Sequence, residues 1–380
     1  MNHKCIACGE IIGENDFLML CPQMPASAQD IPALSELESE KGIDLQLYQC
    51  SNCGLVQFDC EPVSYYRDVI RSGGYSTTMA DIRRDQYRHF IDLCKLNGKK
   101  IIEIGCGQGE FLKVLTEFPV QVYGIEHNED LVEKAQASGL NVWRDFTETA
   151  NQILDGAPYD AFLSFNFLEH QPDPNAMVRC IYNNLTEEGT GLVTVPSWDY
   201  IVSNNSFYEL LRDHVANYSE QTLRFLLNKN GFIILESTTV NQDTISMIVQ
   251  KRPKLKVDGL KKQFALLSEQ IHDFIDKRVS EGKEIAVWGA SHQGFTTIST
   301  TGVGDSITYI IDSAPFKQGR YAPASHVPIV SPEFFFEHPV DTILIIAPGY
   351  TDEIAGTIRK IYGAAKVEIA AIRTTVIEIL

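Results

Sequence analysis

The sequence has few of the features that mark membrane, secreted or nucleic-acid-binding proteins. No apolar run approaches the roughly 18 residues of a membrane helix, and the longest, such as ILII at 343–346, are short. The first residues, MNHKCIACGE, lack the basic and then apolar regions of a secretory signal. With 32 basic and 50 acidic residues the net charge is −18, which would repel a phosphate backbone. We therefore expect a cytoplasmic protein that binds neither membrane nor nucleic acid.

Cysteine is too sparse for a disulfide scaffold, with nine in 380 residues, but four of the nine are closely paired. Cys5 and Cys8 form one CxxC pair and Cys50 and Cys53 another, and a glycine follows each pair. This pattern is typical of knuckles that hold one tetrahedral Zn²⁺. Four protein ligands leave no open coordination position, so we predict a structural zinc ion; the alternative is four unpaired buried thiols.

Apolar residues make up 44% of the chain, enough for a full core, and the length suggests two or three domains. We predict a zinc-binding module at 1–65, a core domain at 66–252, a connecting helix at 253–280 and a C-terminal α/β domain at 281–380. Residues 1–65 show little periodic structure. A helix is predicted at 76–96, and core strands are predicted at 100–104, 121–125, 161–165, 190–195, 232–238 and 244–250. C-terminal strands are predicted at 284–288, 306–311, 342–347 and 366–372. Alternation of short apolar runs with helical stretches indicates parallel α/β sheets.

A glycine-rich turn follows the first core strand and precedes a helix. Gly105, Gly107 and Gly109 are spaced GxGxG, and the acidic Glu103 comes just before them. Dinucleotide-binding folds carry GxGxxG at this place. The spacing here resembles instead the first motif of class I S-adenosylmethionine (SAM) methyltransferases, ExGxGxG. The alternative is a plain Rossmann-like domain that binds NAD or no ligand.

Three further segments resemble later motifs of the same methyltransferases. Glu126 ends the next strand. In these methyltransferases a carboxylate at this place accepts hydrogen bonds from the ribose hydroxyls of SAM. Asp145 and Phe146 follow the third segment and are expected against the adenine. Asn166 and His170 lie in the fourth segment, FNFLEH, and are expected beside the methionine part of the cofactor.

The whole chain resembles the sugar C-methyltransferases of tetronitrose and mycarose biosynthesis. The cysteine pairs, the glycine turn and the stretch KQGRYAP at 317–323 with PIVSP at 328–332 carry the resemblance. It implies SAM as cofactor, a Rossmann-like C-terminal domain and a nucleotide-linked deoxy or keto sugar as substrate. In the C-terminal domain it implies that the nucleotide sugar is held by Ser291, Gly294, Lys317, Arg320 and His326. The alternatives there are NAD in the glycine loop and a scaffold whose basic residues are solvated.

The resemblance also implies a catalytic segment. His214 is the expected base that removes a proton beside a ketone, Asp213 is expected to orient it, and Tyr75 to stabilise the enolate. Leu211 stands where the family has a tyrosine, and Gln293 where it has a lysine. O- or N-methylation of a related substrate and a non-catalytic SAM-fold scaffold therefore stay open, as does the choice between monomer and homodimer.

Overall fold

The computed structural model describes residues 3–68, 76–362 and 366–380. The chain divides into two compact units, Met1–Lys254 and Leu255–Leu380. Among the described residues, no helix combines the length and the apolar character that crossing a membrane requires.

The N-terminal segment forms small antiparallel sheets. Its strands are β1 (His3–Lys4), β2 (Ile11–Ile12), β3 (Phe17–Met24), β4 (Ile43–Gln49) and β5 (Val56–Phe58), and a 3-10 helix covers Glu14–Asp16. Strands β3, β4 and β5 pair in sequence order, and β5 also pairs with Ala216–Asn217 from much later in the chain. The prediction of little periodic structure at 1–65 was therefore wrong. Only Leu45 and Leu47 of β4 alternate inward, which is too short a pattern to read from the sequence.

The core of the first unit alternates helices and strands. Its elements are α1 (Thr77–Cys94), β6 (Lys100–Ile104), α2 (Glu110–Leu115), β7 (Gln121–Glu126), α3 (Glu129–Ala137), β8 (Asn141–Arg144), β9 (Tyr159–Phe165), α4 (Pro174–Asn183), β10 (Leu185–Pro196), α5 (Trp198–Asn204), β11 (Ala216–Asn217), α6 (Glu220–Lys229), β12 (Phe232–Val240) and β13 (Thr244–Lys251). Short 3-10 helices lie at Leu168–His170 and Phe207–Glu209. Each predicted core strand is present, although β10 begins at Leu185 because the polar residues 186–189 extend it irregularly.

The seven-stranded sheet has the order β12-β13-β10-β9-β6-β7-β8. Strands β6 to β10 run parallel, and β12 and β13 form an antiparallel hairpin at one edge. Strand β6 lies between β7 and β9, so the carboxyl ends of these three strands meet at one edge of the sheet. This is the class I methyltransferase arrangement that the sequence predicts, and it gathers the three motifs that follow the strands.

The second unit is a smaller α/β domain. Its elements are α7 (Asp258–Ser280), β14 (Ile285–Trp288), α8 (His292–Thr301), β15 (Tyr309–Ile311), β16 (Ile329–Val330), α9 (Pro332–Glu337), β17 (Thr342–Ile345), α10 (Thr351–Tyr362), β18 (Glu368–Arg373) and β19 (Val376–Ile379), with a 3-10 helix at Gly304–Ser306. The sheet order is β16-β15-β14-β17-β18-β19, parallel except for β19. Buried Arg278 of α7 makes a two-point ion pair with Glu368 of β18, at 2.8 Å and 2.7 Å, which fixes the helix against the sheet.

Gly191 in β10 offers a test of the core packing. A Cβ atom there would lie 1.9 Å from Cε1 of Phe162, whose ring is buried in the neighbouring strand β9. We expect Gly191→Ala to destabilise the first unit by about 1–3 kcal/mol through overpacking, measured as a lower melting temperature in calorimetry. Gly13→Ala is the control, since its Cβ would meet nothing within 4 Å. Equal melting temperatures for the two variants would contradict this packing.

Candidate functional site

The glycine turn after β6 and the carboxylate after β7 are joined by hydrogen bonds. Gly107 N donates to Glu126 Oε2 at 2.9 Å, and Asn128 N donates to Oε1 at 2.9 Å. Gly107 has φ of 59°, a left-handed conformation that turns its N–H toward the carboxylate at little cost for glycine. Burial raises the pKa of Glu126, and the backbone N–H bonds oppose that shift. Each oxygen keeps a further lone pair for a ligand.

A cavity of about 400 Å³ lies beside this turn. Its wall includes residues from the strand ends, from the segment after β9, from the segment before β11 and from the N-terminal module: Gly105, Gly107, Glu126, Asn166, Phe167, Glu169, His170, Leu211, Asp213, His214, Ala28 and Gln29. The structure thus brings Gly105, Gly107, Glu126, Asn166 and His170 of the predicted cofactor residues together with His214 and Asp213.

The other predicted cofactor residues do not line this cavity. Glu103 is fully buried within β6. Gly109 begins α2 and packs closely, since a Cβ there would lie 2.3 Å from Leu140 Cδ1. Asp145 and Phe146 line an adjoining open groove, where Asp145 Oδ1 accepts hydrogen bonds from Phe146 N at 2.7 Å and from a glutamine side chain at 2.6 Å. Tyr75, which is predicted to stabilise an enolate, lies outside the described residues.

Aromatic rings close the space between the groove and the cavity. Phe146 packs edge-on against Phe167 with ring centroids 6.1 Å apart. A space of only about 10 Å³ lies among these rings, Gly105 and Glu126. A flat ligand ring could enter between Phe146 and Phe167 only if one of the two side chains moved aside.

Two histidines and a carboxylate meet in the wall of the cavity. The His170 and His214 rings are 4.8 Å apart between centroids, and donor atoms of Glu169, His170 and His214 all lie within 4.8 Å of one another. His170 Nδ1 donates to the backbone oxygen of Asp213 at 2.9 Å. Burial lowers the pKa of His214 to about 3, with a smaller contribution from His170, so this imidazole is neutral at neutral pH.

Asp213 holds part of the N-terminal module over the cavity. Its Oδ1 accepts from Ala28 N at 3.0 Å, and its Oδ2 accepts from Tyr65 Oη at 2.7 Å. Tyr65 Oη in turn hydrogen-bonds Ser27 Oγ at 2.7 Å. The carboxylate expected to orient His214 therefore contacts the module. Sequence reasoning missed Tyr65, Ala28 and Gln29, because no spacing rule connects them with a segment some 150 residues away.

The four paired cysteines form a cluster that fits a tetrahedral metal. The Sγ atoms of Cys5 and Cys53 are 3.5 Å apart, as are those of Cys8 and Cys50. Tetrahedral zinc with Zn–S bonds of about 2.3 Å places its sulfur atoms about 3.8 Å apart, close to this spacing. Gly9 and Gly54 close the two turns, each donating its N–H to the carbonyl of the first cysteine of its pair at 2.8 Å. The hydrogen bond between the two thiols lowers the pKa of Cys5 to about 5 and raises the pKa of Cys53, so the pair shares one proton.

Tyr218 gives a second observation at this cluster. Its side chain is fully buried, and within the described parts of the chain its hydroxyl has no hydrogen-bond partner. Burial raises the pKa of Tyr218, and Glu169, Cys5 and Cys53 raise it further. A metal-bound thiolate would give this orphaned donor an acceptor, so the donor set and its surroundings fit a zinc ion.

In the second unit, predicted substrate residues lie near the carboxyl ends of β14 and β15. Ser291 caps α8 and accepts a hydrogen bond from Gly294 N at 3.3 Å. A Cβ on Gly294 would lie 2.2 Å from Gly289 O, so the loop requires glycine there. Asp312, at the end of β15, accepts from Ala290 N at 3.0 Å, and Lys317 Nζ lies 3.0 Å from the same Oδ2 atom. Arg320 and His326 are exposed on the segment that follows.

Family comparisons divide the chain in the same way. Residues 79–237 match the model of a methyltransferase domain, and residues 255–370 match the model of a C-methyltransferase C-terminal domain. The C-methyltransferase NovU of Streptomyces niveus is 24% identical over 301 residues, which cover 70% of this chain and 72% of that protein. A ubiquinone biosynthesis O-methyltransferase of Stutzerimonas stutzeri is 34% identical over 89 residues, or 22% of this chain and 38% of the relative.

Solved structures of similar fold match about half of this chain. A SAM-dependent methyltransferase from Clostridium acetobutylicum matches with a TM-score of 0.38 and 14% identity, over 50% of this chain and 96% of that one. The magnesium protoporphyrin IX methyltransferase of Synechocystis PCC 6803 matches with a TM-score of 0.36 and 17% identity, over 49% and 92%.

The two family matches occur in order along one chain, and the first covers β6, β7 and β9, whose carboxyl ends border the cavity. The chain is therefore a SAM-dependent methyltransferase whose second part matches a C-methyltransferase C-terminal domain.

Proposed function

We propose that the protein transfers a methyl group from SAM to a carbon atom next to the ketone of a nucleotide-linked keto sugar. One observation carries this proposal: His214 lines the same cavity as the glycine turn and Glu126. A base and a cofactor site in one enclosure allow proton removal and methyl transfer at a single carbon. NovU, which matches most of the chain, is named a C-methyltransferase and supports carbon as the methylated atom.

We infer that the cofactor lies along the strand ends. Glu126 has lone pairs left for the ribose hydroxyls, and Asn166, which lines the same cavity, would face the methionine part of the cofactor. The rings of Phe146 and Phe167 would part to hold the adenine, with Asp145 at its edge. When bound, SAM supplies the electrophilic methyl group. Gly105 is required in the turn because its φ of 69° is left-handed and a Cβ there would lie 3.0 Å from the Phe167 ring.

His214 is the base in this proposal. Its neutral imidazole accepts the proton from the carbon beside the ketone, and the carbon then takes the methyl group. Asp213 acts as a positioning residue, because its carboxylate holds Ala28 and Tyr65 at the cavity and its carbonyl holds His170. Stabilisation of the enolate by Tyr75 stays a prediction. Leu211 lines the cavity where the family tyrosine would stand, so the acceptor pocket is more apolar here.

We propose that the second unit binds the nucleotide part of the substrate. Its glycine loop and Ser291 lie where open α/β sheets bind nucleotides, at the carboxyl ends of the strands. Lys317 is paired with Asp312 and would exchange this partner for a diphosphate, while exposed Arg320 offers a two-point contact. His326 and Gly294 complete the predicted set.

A second candidate is O-methylation of a related substrate. The match with an O-methyltransferase over 89 residues supports it. His214 would then take a proton from a hydroxyl group instead of a carbon atom.

We also propose that Cys5, Cys8, Cys50 and Cys53 hold one structural zinc ion. The thiolates would join the turns that follow β1 and β4. Because the same module supplies Ala28 and Gln29 to the cavity wall, the metal would also stabilise the site.

The cofactor assignment is tested with Glu126→Gln. We expect S-adenosylhomocysteine to bind at least about tenfold more weakly in calorimetry, since an amide cannot accept at both oxygen positions. Glu129→Gln is the matched control, because Glu129 is exposed and forms an ion pair with Arg144 on the surface. Equal affinity in the two variants would contradict the ribose site, and no binding to the wild type would favour a scaffold role.

The base and the acceptor are tested together. The wild type is incubated with SAM and a panel of dTDP-, GDP- and CDP-linked keto sugars, and mass spectrometry and NMR identify the methylated atom. We expect a new carbon-bound methyl group, and we expect His214→Ala to abolish turnover while binding of S-adenosylhomocysteine stays within several-fold. His89→Ala, at an exposed histidine paired with Glu236, should remain active. Undiminished turnover in His214→Ala would remove it as the base.

Elemental analysis tests the metal. We expect about one zinc ion per chain, falling to near zero in Cys53→Ser together with a lower melting temperature. Cys94→Ser in α1 keeps the zinc content and serves as control. A zinc-free wild type with unchanged melting would overturn the assignment.

A further inference from the structure

Among the described residues, a second group of side chains that could hold a metal ion lies in the cavity wall. Glu169, His170 and His214 offer one carboxylate oxygen and two imidazole nitrogens, all within 4.8 Å of one another. Donor atoms around a metal with bonds of about 2.1 Å lie about 3.0–3.4 Å apart, so small side-chain rotations bring the three into range. We propose that these residues bind a divalent transition-metal ion and that the bound ion inhibits methyl transfer.

The hydrogen bond of His170 prepares it for a metal. A backbone carbonyl only accepts, so the contact of His170 Nδ1 with Asp213 O at 2.9 Å fixes the proton on Nδ1. This leaves the lone pair on Nε2. Metal-binding histidines in proteins are held in this way by a carbonyl or carboxylate behind the ring. The Asp213 carboxylate is itself anchored by Ala28 N and Tyr65 Oη, so the support is rigid.

The donor set selects the kind of ion. Two imidazoles and one carboxylate suit Zn²⁺, Co²⁺, Ni²⁺ or Fe²⁺, whereas Mg²⁺ and Ca²⁺ prefer all-oxygen sites. Glu169 and His170 are 2% and 7% exposed, so they are held in place before an ion arrives. The open side of the cavity leaves positions for water. This site contains no cysteine and is distinct from the Cys5, Cys8, Cys50 and Cys53 cluster.

Metal binding and catalysis exclude each other at His214. A ring nitrogen whose lone pair coordinates a metal cannot accept a proton from the substrate. Occupancy of the site therefore removes the base and narrows the cavity. The inhibitory effect rests on the proposed function, whereas the binding of the ion does not.

The test uses zinc-loaded protein, with Co²⁺ as the probe. Calorimetry should find one bound Co²⁺ per chain, and the visible spectrum should show weak bands without thiolate charge transfer. His170→Ala and Glu169→Gln should weaken Co²⁺ binding at least about tenfold, whereas His89→Ala should not. Paramagnetic broadening of the His170 and His214 imidazole signals in the wild type checks the site without any substitution.

The outcomes separate the two proposals. No Co²⁺ uptake, uptake with thiolate charge transfer, or unbroadened imidazole signals would overturn the site, whether or not the protein methylates sugars. If Co²⁺ binds as expected and methyl transfer falls over the same concentration range, both proposals stand. Uptake with undiminished methyl transfer would overturn the inhibition. Uptake in a protein that methylates none of the sugars would count against the proposed function alone.

Discussion

The meeting of three parallel strand ends at one edge of the sheet is the constraint on which the site depends. Strand β6 lies between β7 and β9, so Gly107, Glu126 and Asn166 come together although they are far apart in the sequence. The bond from Gly107 N to Glu126 Oε2 fixes the turn to the neighbouring strand. A ligand that binds at this edge of the sheet therefore meets the backbone of the Gly107 turn and the buried carboxylate of Glu126.

The N-terminal module contributes more than a metal cluster. Its strand β5 pairs with β11, which follows His214 closely, and its residues Ala28 and Gln29 line the cavity. Asp213 joins the two regions through Ala28 N and Tyr65 Oη. The module is thus part of the wall around the candidate base, so a metal ion held by the four cysteines would also stabilise this wall.

Motifs that are local in sequence could be predicted, and contacts between distant segments could not. The GxGxG turn and the cysteine pairs each follow from short spacings, and the structure forms the turn and gathers the four sulfur atoms. Gly109 shows a limit of such motifs, because its place in the turn is explained by packing against Leu140 rather than by contact with the cavity. Asp213 shows another. The sequence predicts that Asp213 orients its neighbour His214, but the carboxylate of Asp213 accepts a hydrogen bond from Tyr65, a contact that only the fold creates.

A crystal structure of the protein with S-adenosylhomocysteine tests the central claim most directly. The account predicts the ribose hydroxyls on Glu126, the adenine between Phe146 and Phe167, and the sulfur atom directed into the cavity toward His214. A dinucleotide retained at the glycine turn, or S-adenosylhomocysteine bound with its sulfur remote from His214, would contradict it.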